Sequence, residues 1–326
     1  MTDATEAETG RADADEAGRP DMALDEVAAL ADRVVDNVEA VIVGKRAAVE
    51  HVVIAILARG HLLVEDVPGV GKTTLAKAVA ASIDGSFKRV QFTPDLLPAD
   101  VTGVNVFNQR TDEFEFQPGP VFANVVLGDE INRAPPKTQS SLLEAMEEGQ
   151  VTTDGETRPL PDPFCVIATQ NDVEPGQTYE LPVAEIDRFT KKIRLGYPTA
   201  DEEAEIIGRM AGRHPIDAVE PVASIEDVRR AREAVAAVDA AEPVRKYVAR
   251  LATYTRQNAR LGVSPRGSLS LLRAAQARAA LDGRGYVIPD DVQTEAPTVL
   301  AHRVRSDSGA DGGDVVEDAL ERTSVE

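Results

Sequence analysis

The feature that most constrains this chain is a glycine-rich stretch between a short apolar run and an alanine-rich segment. It occupies residues 66–73 and has the sequence DVPGVGKT. From its second position it matches the phosphate-binding loop GxxxxGK[ST], although Asp66 stands where the general pattern has Gly. Gly69 and Gly71 would let backbone N–H groups curl around phosphate oxygens at a helix N-terminus. The alternative is a strand-to-helix turn without a ligand, and Gly-Lys-Thr in this context argues against it.

The loop predicts a set of contacts to ATP and Mg²⁺. Lys72 is expected to pair with the β- and γ-phosphates, and the Thr73 hydroxyl is expected to bind the magnesium ion. The remaining residues that we expect to touch the nucleotide are Pro68, Gly69, Val70, Gly71 and Thr74.

A second apolar run, residues 125–130, has the sequence VVLGDE and ends in two carboxylates. Asp129 is expected to hold Mg²⁺ through water, and Glu130 to orient and activate the attacking water. Taken alone, Asp-Glu after a strand is usually a solvated helix start. Its position about sixty residues after a phosphate loop favours the catalytic interpretation.

A third run, residues 167–171, has the sequence IATQN and places an amide at the end of another predicted strand. Ligands bind at the carboxyl ends of strands in such sheets, so Asn171 is expected to reach the attacking water or the γ-phosphate. The alternative is a loop Asn that caps its own turn.

Short apolar runs alternate with helical patterns as far as Pro198. The runs predict strands at 61–65, 88–92, 125–127, 164–169 and 192–195, and the helical patterns predict helices at 73–83 and 137–148. This alternation indicates an α/β fold in which helices cover both faces of a parallel sheet, here of five strands. Beyond it, capping boxes at Thr199–Glu202 and Ser224–Asp227 introduce a purely helical pattern. We therefore predict a nucleotide-binding core at 23–198 and a helical domain at 199–305.

Composition bounds the remaining possibilities. Acidic tails without periodicity are expected to be disordered at 1–22 and flexible at 306–326. A net charge of −21 argues against general nucleic-acid affinity, and few lysines among many acids are typical of halophiles. The single cysteine, Cys165, excludes an internal disulfide. The longest apolar stretch, 52–58, is too short to span a bilayer and no signal peptide is visible, so a cytoplasmic protein is expected.

Four strings of residues resemble the MoxR family of AAA+ proteins almost letter for letter. They are EDVPGVGKTTLAK at 65–77, QFTPDLLP at 91–98, DEINRAPPKTQ at 129–139 and ATQN at 168–171. The resemblance covers about 41–305, and Asp66 at the first loop position is also what this family shows. Two departures are Gly128, where the family more often has Ala, and Asp172, where Pro is usual. The resemblance implies an AAA+ αβα core followed by a helical lid.

The resemblance also implies roles for further residues. Arg188 matches the arginine finger that enters a neighbouring subunit's site, and Arg266 matches sensor 2 on the lid, while Asn171 matches sensor 1. Ile42, Val43 and Gly44 match the segment that lines the adenine pocket. Residues 93–122 match the insert in helix 2 that marks this clade, and 150–163 match the hairpin before sensor 1.

The function implied by the resemblance is Mg²⁺-dependent ATP hydrolysis by a homo-oligomeric ring, expected to be a hexamer. It extends to a chaperone-like role in maturing partner proteins or inserting their metal or cofactor, alongside a protein with a von Willebrand factor A domain. Three alternatives are weighed against this function. A nucleic-acid motor or loader of the same clade is opposed by the acidic balance. A nucleotide-gated scaffold without turnover is opposed by Glu130, and a GTPase by the lack of an Asn-Lys-x-Asp motif.

Overall fold

The alternating pattern produces a five-stranded parallel sheet with the strand order β2-β5-β8-β1-β9. A computed structural model describes residues 21–170, 179, 181–210, 215–306 and 311–325. The sheet strands are β1 (Leu62–Glu65), β2 (Phe87–Gln91), β5 (Val125–Asp129), β8 (Cys165–Gln170) and β9 (Lys191–Ile193). The fold class predicted from the sequence is therefore confirmed.

Helices cover both faces of the sheet, as buried parallel strands require. The helices of this part are α1 (Leu24–Glu39), α2 (Arg46–Leu57), α3 (Lys72–Ser82), α4 (Pro98–Thr102), α5 (Pro136–Glu148) and α6 (Val183–Ile186). Because strand side chains alternate, Leu62 and Val64 pack into the apolar cluster on one face with α1, α2 and α3. Leu63 packs into the opposite cluster together with Phe92 and Leu142.

Two antiparallel hairpins project from the core in the two segments that resemble family inserts. The first consists of β3 (Gly103–Asn108) and β4 (Glu113–Pro118), between β2 and β5. The second consists of β6 (Gln150–Thr153) and β7 (Glu156–Pro159), between α5 and β8. Phe107 and Phe114 on the first hairpin remain exposed, with their ring centroids 5.3 Å apart.

The chain after Pro198 is helical, as predicted. Its helices are α7 (Ala200–Met210), α8 (Ile225–Ala236), α9 (Glu242–Asn258), α10 (Pro265–Leu281) and α11 (Pro289–Leu300). Both capping boxes form: Glu202 accepts the Thr199 N–H at 2.7 Å, and Asp227 accepts the Ser224 N–H at 2.9 Å. The buried side chains of α8 to α11 join those of α1 and α2 in one continuous cluster, so the helical part packs directly on the core.

The acidic C-terminal segment is not a flexible tail, and that prediction is wrong for residues 311–325. Gly312–Arg322 forms a further helix, α12, which packs against α9 and α11. Val316 and Ala319 are buried on its inner face, because their spacing of three residues places them on one side of a helix. The prediction failed because it rested on the acidic, glycine-rich composition of the segment and did not consider this short apolar stripe.

The N-terminal prediction needs a smaller correction. Residues 1–20 lie outside the described part of the chain, but Asp21 and Met22 belong to the folded part. Met22 is buried in the core cluster, and the Asp21 carbonyl accepts a hydrogen bond from Arg230 at 2.6 Å. In the described ranges, no helix is both long and apolar enough to cross a membrane.

Candidate nucleotide-binding site

The glycine-rich loop leaves the carboxyl end of β1 and enters α3 at Lys72. Gly69 has φ of +86° and Gly71 has φ of +94°, a left-handed backbone that glycine adopts without strain. Lys72 is buried, and its ammonium donates to the backbone carbonyl of Asp66 at 3.0 Å. The two glycines therefore give the loop its sharp curvature, and the Lys72 ammonium is held against the loop backbone.

A cavity of about 380 Å³ lies between this loop and the ends of β2 and β5. Its walls include Pro68, Gly69, Gly71, Lys72, Thr73, Thr74, Arg89, Gln91, Asp129 and Glu130. The predicted loop residues other than Val70 thus face one space together with the two predicted carboxylates. Arg89 and Gln91, which sequence reasoning missed, enter the same space because β2 pairs with β5, with Gln91 opposite Asp129.

The two carboxylates are held by different partners. Thr169 of β8 donates its hydroxyl to Asp129 at 2.7 Å and accepts the Glu130 N–H at 2.8 Å. Arg89 binds the other Asp129 oxygen through Nη2 at 2.6 Å and Nε at 3.1 Å. The Arg89 guanidinium therefore already forms an ion pair with Asp129, which shows that this carboxylate can bind a cation.

Glu130 is fixed from two sides and carries backbone strain. Gln91 and Arg133 each donate to its Oε2 at 2.9 Å. Its φ of +56° is uncommon for a residue other than glycine, and such strain is often found at functional sites. The sequence signal that could have found these partners is that Gln91 and Arg133 both lie in family-like strings.

A more apolar pocket adjoins the phosphate-side cavity and shares Gly69, Gly71 and Thr74 with it. The segment before α2 lines it through Val41, Ile42, Val43 and Lys45, the loop through Val70, and the start of the helical part through Pro198, Ile206, Arg209 and Pro215. One continuous cleft therefore has a charged end suited to phosphates and an apolar end suited to the base of a nucleotide, here called the base end.

The predicted Gly44 does not line this pocket. Its φ is +69°, and an added Cβ would lie 1.8 Å from the Glu202 carboxylate. Val43, which the resemblance assigns to the adenine pocket, lines this apolar pocket. Ile206 and Arg209 were not predicted, because they come from helix α7 far along the chain.

The two predicted arginines lie elsewhere. Arg188 places Nε 3.2 Å from one oxygen of Glu147, and Arg266 forms an ion pair with the other oxygen. Glu147 lies about 16 Å along α5 from its first residue, and α5 returns from the carboxyl end of β5 toward the amino ends of the strands. Arg188 also precedes the amino end of β9. The structure thus brings Arg188 and Arg266 together, at the opposite end of the sheet from the phosphate loop of the same chain.

Asn171 lies outside the described residues. The residue before it, Gln170, ends β8 and pairs with Glu65 at the carboxyl end of β1. Burial opposes ionisation of Glu65, but hydrogen bonds from Lys192 and Arg194 outweigh it and keep its pKa below the usual range.

A phosphate loop after one strand, paired carboxylates after another, and a helical domain closing the base end of the cleft define an ATPase of the AAA+ class. Residues 61–191 match the model of the ATPase family associated with various cellular activities, and residues 251–322 match the AAA lid domain. The chain belongs to the MoxR family of AAA+ ATPases.

Individual relatives agree with this assignment. Uncharacterized protein YeaC of Bacillus subtilis is 52% identical over 84% of this chain and 87% of its own length. Chaperone MoxR1 of Mycobacterium tuberculosis is 43% identical, over 84% of this chain and 75% of its own. A crystal structure of a protein from Cytophaga hutchinsonii superposes with a TM-score of 0.85 at 37% identity. It covers 91% of this chain and 95% of that one.

Proposed function

We propose that the cleft hydrolyses ATP in a Mg²⁺-dependent reaction, with Glu130 as the base. The observation that supports this best is that Glu130 and Asp129 share one cavity with Lys72 and Thr73. The donor set suits Mg²⁺, because Asp129 and Thr73 offer the oxygen ligands that this ion prefers. When bound, the ion would neutralise charge on the β- and γ-phosphate oxygens.

The residues of the cleft then have separate roles in binding and hydrolysing ATP. The loop N–H groups and Lys72 bind the phosphates, and the apolar end of the cleft holds the adenine ring. Gln91 and Arg133 keep the Glu130 carboxylate in one orientation, in which it takes a proton from the attacking water. Water attacks the γ-phosphorus and the β–γ phosphoanhydride bond breaks, so most of the catalysis is positioning and charge neutralisation.

Two substitutions test these roles. Lys72→Ala should weaken ATP binding, because it removes the cation at the β- and γ-phosphates. Glu130→Gln should keep ATP binding and abolish turnover, because it removes only the base. Binding is measured by calorimetry and turnover by phosphate release, with exposed Glu144→Gln as the matched control. Equal loss of ATP affinity in both variants would contradict the assignment, and full turnover by Glu130→Gln would favour a different base.

We also propose that Arg188 and Arg266 act together on ATP bound by a neighbouring subunit of a ring, expected to be a hexamer. What supports this is their shared contact with Glu147, remote from their own phosphate loop. Arginine fingers supplied in trans contribute about 10³–10⁵ in rate in other phosphoryl-transfer systems. Arg188→Ala should therefore bind ATP and hydrolyse it poorly.

Mixing variants tests the trans arrangement directly. Arg188→Ala and Lys72→Ala each lack a different half of a composite site, so mixed rings regain complete sites at some interfaces. Activity should return on mixing, with subunit exchange checked by labelling. If labelled subunits exchange and no activity returns, Arg188 does not act in trans.

For the biological role, we propose a chaperone-like action on partner proteins, including maturation or insertion of a metal or cofactor. The support is the family and a relative named Chaperone MoxR1. A von Willebrand factor A domain protein is the expected partner, through the resemblance. Capture of clients on ATP-loaded Glu130→Gln tests this role. Stimulation of ATPase activity by single-stranded DNA would instead favour the nucleic-acid motor, and the acidic balance opposes that outcome.

A further inference from the structure

Asp66, the residue that departs from the general loop pattern, forms hydrogen bonds both within the loop and to a distant segment. Its side chain is buried and accepts three backbone N–H groups. Oδ1 accepts the Val67 N–H at 2.9 Å, and Oδ2 accepts those of Leu195 and Gly196 at 2.6 and 2.7 Å. Its own carbonyl accepts Lys72 Nζ at 3.0 Å, as described above. One residue therefore joins the phosphate loop to a segment about 130 positions further along the chain.

The segment that Asp66 holds leads directly to the base end of the cleft. Leu195 and Gly196 follow β9 and begin the linker to α7. Pro198 in that linker and Ile206 in α7 line the base pocket. Lys45, on the opposite wall, donates to the Tyr197 carbonyl at 3.1 Å. The Asp66 carboxylate thus lies between the phosphate end of the cleft and the linker that carries one wall of its base end.

The chemistry of this contact favours a carboxylate. An ionised carboxylate only accepts hydrogen bonds, and all three of its partners are donors. An Asn side chain would turn an NH₂ donor toward one of these donors. A Gly, the residue of the general pattern, would leave the linker N–H groups without this partner.

We propose that Asp66 is a positioning residue that couples phosphate binding to the shape of the base pocket. This rests on the proposed function only in placing ATP in this cleft. The phosphate cradle itself is built from Gly69, Gly71 and Lys72, none of which needs the Asp66 carboxylate. Loss of that carboxylate should therefore weaken the contribution of the nucleoside to ATP affinity and leave the contribution of the phosphates unchanged.

The test compares ATP with inorganic triphosphate, which has phosphates and no base. Calorimetry with Mg²⁺ is done on the full chain and on Asp66→Asn and Asp66→Gly, with exposed Asp84→Asn as the control. In Asp66→Gly the ATP affinity should fall about tenfold or more, with a smaller loss in Asp66→Asn, whose amide oxygen can still accept the two linker N–H groups, and in both variants the triphosphate affinity should change less than about threefold. Equal losses for the two ligands, or unchanged ATP affinity, would overturn the proposal.

Hydrogen exchange on the unaltered protein gives an independent readout. Triphosphate alone should slow amide exchange at Leu195 and Gly196 and in α7, because the Asp66 link transmits ordering from the phosphate loop. If triphosphate binds and exchange at 195–210 stays unchanged, the coupling is absent. A chain that binds neither ATP nor triphosphate would instead contradict the proposed function, so the two failures are distinguishable.

Discussion

A buried ion pair connects the sheet to the helical domain, and breaking it should be costly. Lys191 of β9 and Glu295 of α11 are in contact, and neither side chain is exposed to solvent. Arg278 of α10 also binds Glu295, with Nη2 2.8 Å from Oε1, and His51 Nδ1 lies 2.8 Å from Lys191 Nζ. Burial lowers the pKa of Lys191 to about 8. Burial also opposes ionisation of Glu295, but Lys191 and Arg278 outweigh it and lower the pKa of Glu295.

The magnitude depends on which charge is left behind. Removing one partner of a buried pair costs about 3–5 kcal/mol of unfolding free energy. Glu295→Gln leaves Lys191 buried without its carboxylate partner, whereas the partly exposed Arg278 keeps an ion pair with Glu50, and the loss should lie near the upper value. Lys191→Met leaves Glu295 still paired with Arg278 and should lie near the lower value. The melting temperature should fall by on the order of 10 °C in each variant.

The assay is a double-mutant cycle by urea and thermal unfolding. The double variant should lose less than the sum of the single losses, with a coupling energy of about 1–3 kcal/mol. Lys246→Met and Glu242→Gln form the matched control, because that pair has 2.8 Å between Nζ and Oε1 but both side chains are about two-thirds exposed. Exposed pairs of this kind contribute about 0.3–0.5 kcal/mol. Additive losses at the buried pair, or losses no larger than the control, would refute the reasoning.

Three further predictions concern stability. Burial lowers the pKa of His61 to about 4, so the unfolded chain binds the extra proton below about pH 6.5. The contribution of His61 to the unfolding free energy should therefore be fully present above that pH and fall by about 3 kcal/mol toward pH 4, so His61→Gln should show a shallower slope. The net charge of −21 should make the melting temperature rise between about 0.1 M and about 2 M KCl, and an unchanged value would exclude the halophilic interpretation. Ending the chain after residue 306 should cost about 2 kcal/mol or more by exposing the partners of Val316 and Ala319, whereas ending it after 323 should cost little.

The sequence by itself determined the parts of this protein that depend on neighbouring residues. The phosphate loop could be predicted from residues 66–73 alone, because the glycines, the lysine and the threonine that define it lie within one short segment. The strands and the capping boxes at Thr199 and Ser224 follow from short periodic patterns and local hydrogen bonds. The MoxR-like strings are equally local, and the family they indicated is confirmed.

Tertiary structure decided what depends on distant segments meeting. Arg89 and Gln91 enter the site only because β2 pairs with β5, and Arg266 meets Arg188 only because α10 packs near the end of α5. α12 is stabilised by burying two small side chains against other helices, a gain that its acidic composition concealed. The contacts of Asp66 are also tertiary, because Asp66 belongs to the loop and its partners are the N–H groups of Leu195 and Gly196. The Asp66 contacts arise from the parallel pairing of β1 with β9, which places the ends of these two strands side by side although they are far apart in the sequence.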